Sequence, residues 1–210
     1  MTSRILCAFL VALLAVGAAT AQETTKDAKP AASESAPPPP PKPSPEIKKF
    51  ADTFAGRWQF TARMEDGPFA PGGDSGSGIA VMENGPGGMS VMSRIDAKFA
   101  KMGKFNGLGA TYWDAKEKVY KGFWCDSMTP TCESSGRGNW QGGDRFVIEN
   151  EMDMGGQKLA MRDEMFDIKP DSFSEVMYMG EPGTELKKSM TFTYKRIGGP
   201  AKAAKKQNPK

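Results

Sequence analysis

Beyond Gly56 the apolar positions recur every second residue, whereas just before it they recur every three or four. Trp58 to Met64, Met89 to Ile95, Arg145 to Met152, Leu159 to Ile168, Phe173 to Met179 and Met190 to Ile197 alternate in this way. That is the period of a strand with one face buried. Turn-forming clusters separate these runs: Asn84-Gly85-Pro86-Gly87-Gly88, Gln141-Gly142-Gly143-Asp144, Gly155-Gly156, Lys169-Pro170-Asp171-Ser172 and Glu181-Pro182-Gly183. The spacing predicts an all-β chain of roughly eight to ten antiparallel strands. Hairpins without a long crossover close most naturally into an up-and-down β-barrel, which leaves no strand edge exposed. An open sandwich is the second arrangement the pattern allows.

Ser44 to Gly56 reads as one short N-terminal helix. Ser44 can cap it, Pro45 suits its first turn, Glu46 favours the helix dipole and Gly56 ends it. Ile47, Phe50 and Phe54 form a single apolar stripe, so this helix is expected to cover or plug one end of the barrel.

Outside this body the composition changes. Residues 1–21 have the anatomy of a secretory signal: Arg4, an apolar run from Ile5 to Val16, then small residues up to Ala21. Residues 22–46 carry eight prolines and read as an extended linker, and residues 198–210 form a basic tail. The domain itself is expected at 47–197. The expected location is periplasmic or secreted.

The net charge of +3 is unevenly spread, with residues 50–194 at −5 and the chain from Lys195 onward at +6. An acidic body argues against nucleic acid, while the tail reads first as a solvated disordered end and second as a weak contact with an anionic envelope surface. With no histidine in the chain, the commonest general base, the Ser-His and Cys-His pairs and imidazole metal sites are all absent. Removal of the signal leaves Cys125 and Cys132, flanking a turn-rich spacer between strand-like segments. A disulfide is the favoured reading over a two-thiolate metal site, which would lack its remaining ligands.

Gly56-Arg57-Trp58 at the first strand and Arg196 at the last resemble the Gly-x-Trp and terminal Arg of lipocalin-type barrels. The resemblance implies an arginine lying over the tryptophan at the closed end. Phe105-Asn106-Gly107-Leu108-Gly109-Ala110-Thr111-Tyr112-Trp113-Asp114, the segment Lys118 to Met128, and Thr193-Tyr194-Lys195-Arg196 are similar to a bacterial domain-of-unknown-function family with calycin-like barrels. The likeness spans Ile47 to Arg196 and implies a calycin-like fold without fixing an activity.

Within such a barrel Tyr120, Gly122, Trp124, Asp126 and Met128 share one strand face. If that face is inward, Asp126 is a polar anchor in an apolar lumen; otherwise it caps the hairpin through turn amides. Arg94 and Arg162 are candidates for a counter-charge. Asp163-Glu164 are adjacent carboxylates, which in a strand point to opposite faces. The 13 methionines beyond Met1 suit core filling, a pliable ligand lining or a Cu(I) site, in that order.

The expectation is a monomeric, non-enzymatic barrel that binds a small apolar or amphipathic ligand, with no cofactor and no resident metal. Trp58, Tyr120, Trp124, Asp126 and Met128 are the expected ligand-binding residues, and Gly56, Cys125, Cys132 and Arg196 the structural ones. The alternative is an interaction module with a filled barrel, acting through its linker and tail. A histidine-free hydrolase and a copper binder rank below both.

Overall fold

A computed structural model of the chain describes residues 39–199, apart from 69, 130 and 155. The signal segment, the linker as far as residue 38 and the tail from residue 200 lie outside the described residues. Helix α1 spans Pro45–Phe54, and Ser44 Oγ accepts the Ile47 N–H at 3.3 Å as its cap. Pro45 and Glu46, grouped with the linker by composition, are therefore the first helical residues.

Eleven strands follow: β1 (Gly56–Met64), β2 (Asp74–Asn84), β3 (Ser90–Phe99), β4 (Gly103–Asp114), β5 (Val119–Asp126), β6 (Glu133–Ser134), β7 (Arg137–Trp140), β8 (Phe146–Met154), β9 (Gln157–Lys169), β10 (Ser172–Gly180) and β11 (Lys187–Gly198). Ten of them close an antiparallel barrel in the cyclic order β1-β2-β3-β4-β5-β7-β8-β9-β10-β11, while the two-residue β6 lies against β5. The expected up-and-down barrel with one short helix is the observed fold.

Most neighbouring strands pair along nearly their whole length, as β1 does with β2 from Gly56↔Met82 to Met64↔Asp74. The junction of β5 with β7 differs, having the single register pair Tyr120↔Gly138. Gly136, at φ 78°, turns the chain between β6 and β7, and a side chain there would collide with the backbone of Glu149. The chain thus runs along β5 as two short pieces instead of one continuous strand.

Burial alternates without a break along β1, with Trp58, Phe60, Ala62 and Met64 inward. At the helix end the inner face is fully packed. Ile47, Phe50 and Phe54 of α1 meet Trp58, Phe60, Tyr120, Phe146, Phe173 and Tyr194 in one apolar cluster. Phe54 stacks on Trp140 and meets Phe146 and Phe173 edge-on, geometries that aromatic quadrupoles favour. The apolar stripe of α1 finds its partner here, and this end of the barrel is shut.

Strand β2 carries no apolar alternation in its first half because its inner face is glycine. A Cβ at Gly76 would lie 2.6 Å from the Phe99 ring, and one at Gly78 would lie 2.7 Å from Phe60 Cζ. Two aromatic rings take the space that β2 side chains would need.

Candidate functional site

Gly56 opens β1 at φ 148°, leaving room for the Arg196 guanidinium above it. Arg196 lies 3.9 Å over the Trp58 ring and donates to the carbonyls of Ala55 (2.6 Å), Thr53 (2.9 Å) and Pro170 (2.6 Å). Trp58 is wholly buried and donates its Nε1–H to Phe54 O at 2.8 Å. Tyr120 is also buried: its hydroxyl donates to Glu46 O at 2.8 Å and accepts from Trp140 Nε1 at 3.2 Å. Trp58 and Tyr120, expected to touch ligand, instead fasten α1 onto the closed end and have no free surface there.

The inner face of β5 runs Tyr120, Gly122, Trp124, Asp126, in the expected phase: Tyr120 is opposite Trp113, and Trp124 opposite Gly109. The Trp124 ring lies against Gly107 and Gly109 of β4, where any Cβ would meet its carbons. Asp126 Oδ2 accepts Trp124 Nε1–H at 3.0 Å, and Oδ1 accepts from Met128 N, Thr129 N and Thr129 Oγ1 at 2.8–3.1 Å. The carboxylate is therefore a hairpin cap that also holds the indole, and not a free anchor. Met128 lies beyond the strand end and is 58% exposed, which removes it from the lumen. Cys125 and Cys132 form the disulfide and tie the end of β5 to β6.

The polar centre of the barrel lies on other strands. Partners across an antiparallel ladder share a face. Phe146 of the core pairs with Met165, and Ile148 with Asp163; on the far side of β9, Met165 pairs with Glu175 and Asp163 with Met177. Glu175 in turn faces Phe192, and Phe173 faces Tyr194. Asp163 and Glu175 are consequently diagonal neighbours on the inner wall, among Met161, Met165, Met177 and Met190.

Burial pushes the Asp163 carboxyl well above the usual range, and the charge of Glu175 adds to the effect. Burial lifts Glu175 from 4.5 to about 7, against the opposing hydrogen bond from the Tyr194 hydroxyl. Burial, then the Glu175 charge, raises Tyr194 in turn. Among the described residues Asp163 Oδ1 has no hydrogen-bond partner. Two adjoining carboxyls whose ionisation is opposed by burial can hold a donor or a cation, and can take or give a proton.

Neither arginine expected as a counter-charge reaches this pair. Arg94 is on the outer face with Glu83 at 3.3 Å, and Arg162 is outward with Glu164 at 2.7 Å. Glu164 points away from Asp163, as strand geometry requires. The inner partner of Asp163 is Glu175, on the next strand. The signal for it was present in the sequence, since each acid occupies the apolar parity of its strand: Asp163 with Leu159, Met161 and Met165, and Glu175 with Phe173, Met177 and Met179.

Solved structures of other proteins share this architecture. An S-type phycobiliprotein lyase, CPES, from Guillardia theta is 13% identical, with a TM-score of 0.51 over 71% of this chain and 92% of that one. Rv2717c from M. tuberculosis is 14% identical, with a TM-score of 0.54 over 74% of this chain and 99% of that one. At such identities the likeness concerns the fold. It nevertheless corrects the expectation of a non-enzyme, because one barrel of this fold is, by its description, a lyase. No curated protein matches the chain. Residues 42–196 match the family described as "Protein of unknown function (DUF1579)", almost the span over which the sequence resembled a family of calycin-like barrels, and the chain belongs to that family.

Proposed function

We propose that this protein binds a small apolar or amphipathic molecule inside the barrel, in an exported compartment. The observation that supports this is a gradient of burial along the inner face. On β8 the inward residues pass from buried Phe146 to part-accessible Ile148, Asn150 and Met152. On β10 they pass from buried Phe173 to part-accessible Met177 and Met179, and on β11 from Tyr194 to Phe192 and Met190. The inner face of β5 repeats it, from Tyr120 to Trp124 and Asp126. Inward side chains that keep accessible surface are the ones a bound molecule would touch, and they lie beyond the helix-closed end. Methionine suits its wall, because an unbranched thioether adjusts to apolar ligands of different shape.

Export rests on the signal-like residues 1–21 and on the disulfide, a bond that persists in oxidising compartments. Native mass spectrometry of the protein from the exported fraction of its host tests both parts. A ligand mass lost on denaturation, on a chain lacking residues 1–21, is the expected result. A ligand-free mass together with no uptake of a neutral naphthylamine probe would overturn lumen binding. A chain that retains residues 1–21 or stays inside the cell would overturn cleavage and export.

A further inference from the structure

We infer that the lumen selects molecules with a protonated nitrogen on an apolar body, held by the facing carboxyls of Asp163 and Glu175. This rests on the lumen-binding reading and names the head group that such a ligand must carry.

Three observations carry it. Asp163 and Glu175 stand diagonally across β9 and β10 on the inner wall, a spacing from which two carboxyls reach one ligand atom group. Asp163 Oδ1 is sealed from solvent and has no donor among the described residues, an unsatisfied acceptor of the kind that folded proteins rarely keep. The described wall around them offers Tyr194 as a donor and Asn150, whose amide already donates to Ser134 O, and no cation. Arg196 is at the closed end, bonded to three carbonyls; Arg94 and Arg162 are outside. Lys187, opposite Met179, is exposed at the far end of the strand.

A ligand carboxylate entering this wall would meet two acids and no counter-charge. A hydroxyl would satisfy Asp163 Oδ1 but leave the charge of Glu175 unmatched. An ammonium group does both, donating to Asp163 and balancing the negative charge the two carboxyls take up when it binds, while its apolar tail lies among Met161, Met165, Met177 and Met190. The groups facing the pair from neighbouring strands are Ile148 and Asn150 on β8 and Phe192, Met190 and Tyr194 on β11. Tyr194 is the titratable one, and its own shift keeps it neutral. Binding of a cation therefore drives ionisation of the two carboxyls and releases protons.

The experiment compares octylammonium, 1-octanol and octanoate, with equal tails and different heads, as competitors of a neutral naphthylamine probe on the folded, disulfide-bonded protein. At pH 7 octylammonium is expected to bind at least tenfold more tightly than octanoate, with 1-octanol between. Calorimetry in two buffers of different ionisation enthalpy should show proton release for the amine alone. Glu175→Gln and Asp163→Asn should each erase the preference for octylammonium over 1-octanol and octanoate. Tyr194→Phe, which keeps both acids, should retain it.

If 1-octanol binds and the amine has no advantage, the head-group inference falls and lumen binding stands. If the amine preference survives in both acid variants, the assignment to this pair falls. If none of the three binds, lumen binding falls and takes the inference with it.

Discussion

The Arg196 guanidinium lies 3.9 Å above the Trp58 ring while its nitrogens bond the last turn of α1 and the β9–β10 turn. One side chain thus joins the first strand, the last strand, the helix and a hairpin at the closed end. Arg196→Lys keeps the charge but loses the planar fork that makes three directed bonds over a ring. A loss of roughly 2–3 kcal/mol is expected from the abandoned carbonyls and the weaker ring contact, read by urea unfolding. Gly56→Ala should be comparably harmful, because its Cβ would collide with the same guanidinium and the φ of 148° disfavours any side chain.

The stability of the protein should fall as pH rises through the range set by the buried acids. Glu175 moves from 4.5 to about 7 on folding, and Asp163 moves in the same direction. The folded chain therefore holds protons that the unfolded chain has lost, and each such proton lowers stability by about 1.4 kcal/mol per pH unit across the window. Glu175→Gln should flatten the slope between pH 4.5 and 7 and raise stability at and above its upper end. Equilibrium unfolding at stepped pH measures this. Asp74, held low chiefly by the Met102 N–H, has the opposite sign, and its contribution is lost only as pH falls below 3.8.

Trp124 lies flat on two glycines, so a methyl group under it should move it. A Cβ at Gly109 would be 2.8 Å from Trp124 Cε3 and 2.9 Å from Phe123 O. Gly109→Ala is expected to cost about 1–3 kcal/mol as overpacking and to shift indole emission. The emission change should vanish when Trp124→Phe is also present, which separates this indole from the buried Trp58.

Removing Cys125 and Cys132 together as serines should cost about 2–3 kcal/mol, the chain-entropy value for so short a loop. Thermal unfolding of the oxidised, reduced and double-serine proteins compares them directly. Reduced and double-serine proteins should melt together, below the oxidised form.

The barrel was legible in the chain where strands bury one face and expose the other. β1 shows this fully, whereas the phase of β5 stayed open in the sequence and only its strand character was readable. β2 was illegible because Gly76 and Gly78 yield their space to Phe99 and Phe60, so the strand shows no apolar alternation of its own. Short β7 lacked the length for a pattern. The site was missed for a different reason. Asp163 and Glu175 meet only through the register of β9 on β10, and register is a property of two strands, whereas alternation is a property of one. Met128 was misassigned because parity was extended past Asp126, where the strand ends and the carboxylate caps the turn.

The single register pair joining β5 to β7 makes the whole ring no stronger than its narrowest stitch. A ring hides its backbone donors and acceptors only while it stays shut. Once that stitch gives way, β5 and β7 become open edges, each ready to accept a strand from another molecule. The disulfide holding β6 against β5 guards the same stretch, so reducing conditions should turn a self-contained protein into one that polymerises edge to edge.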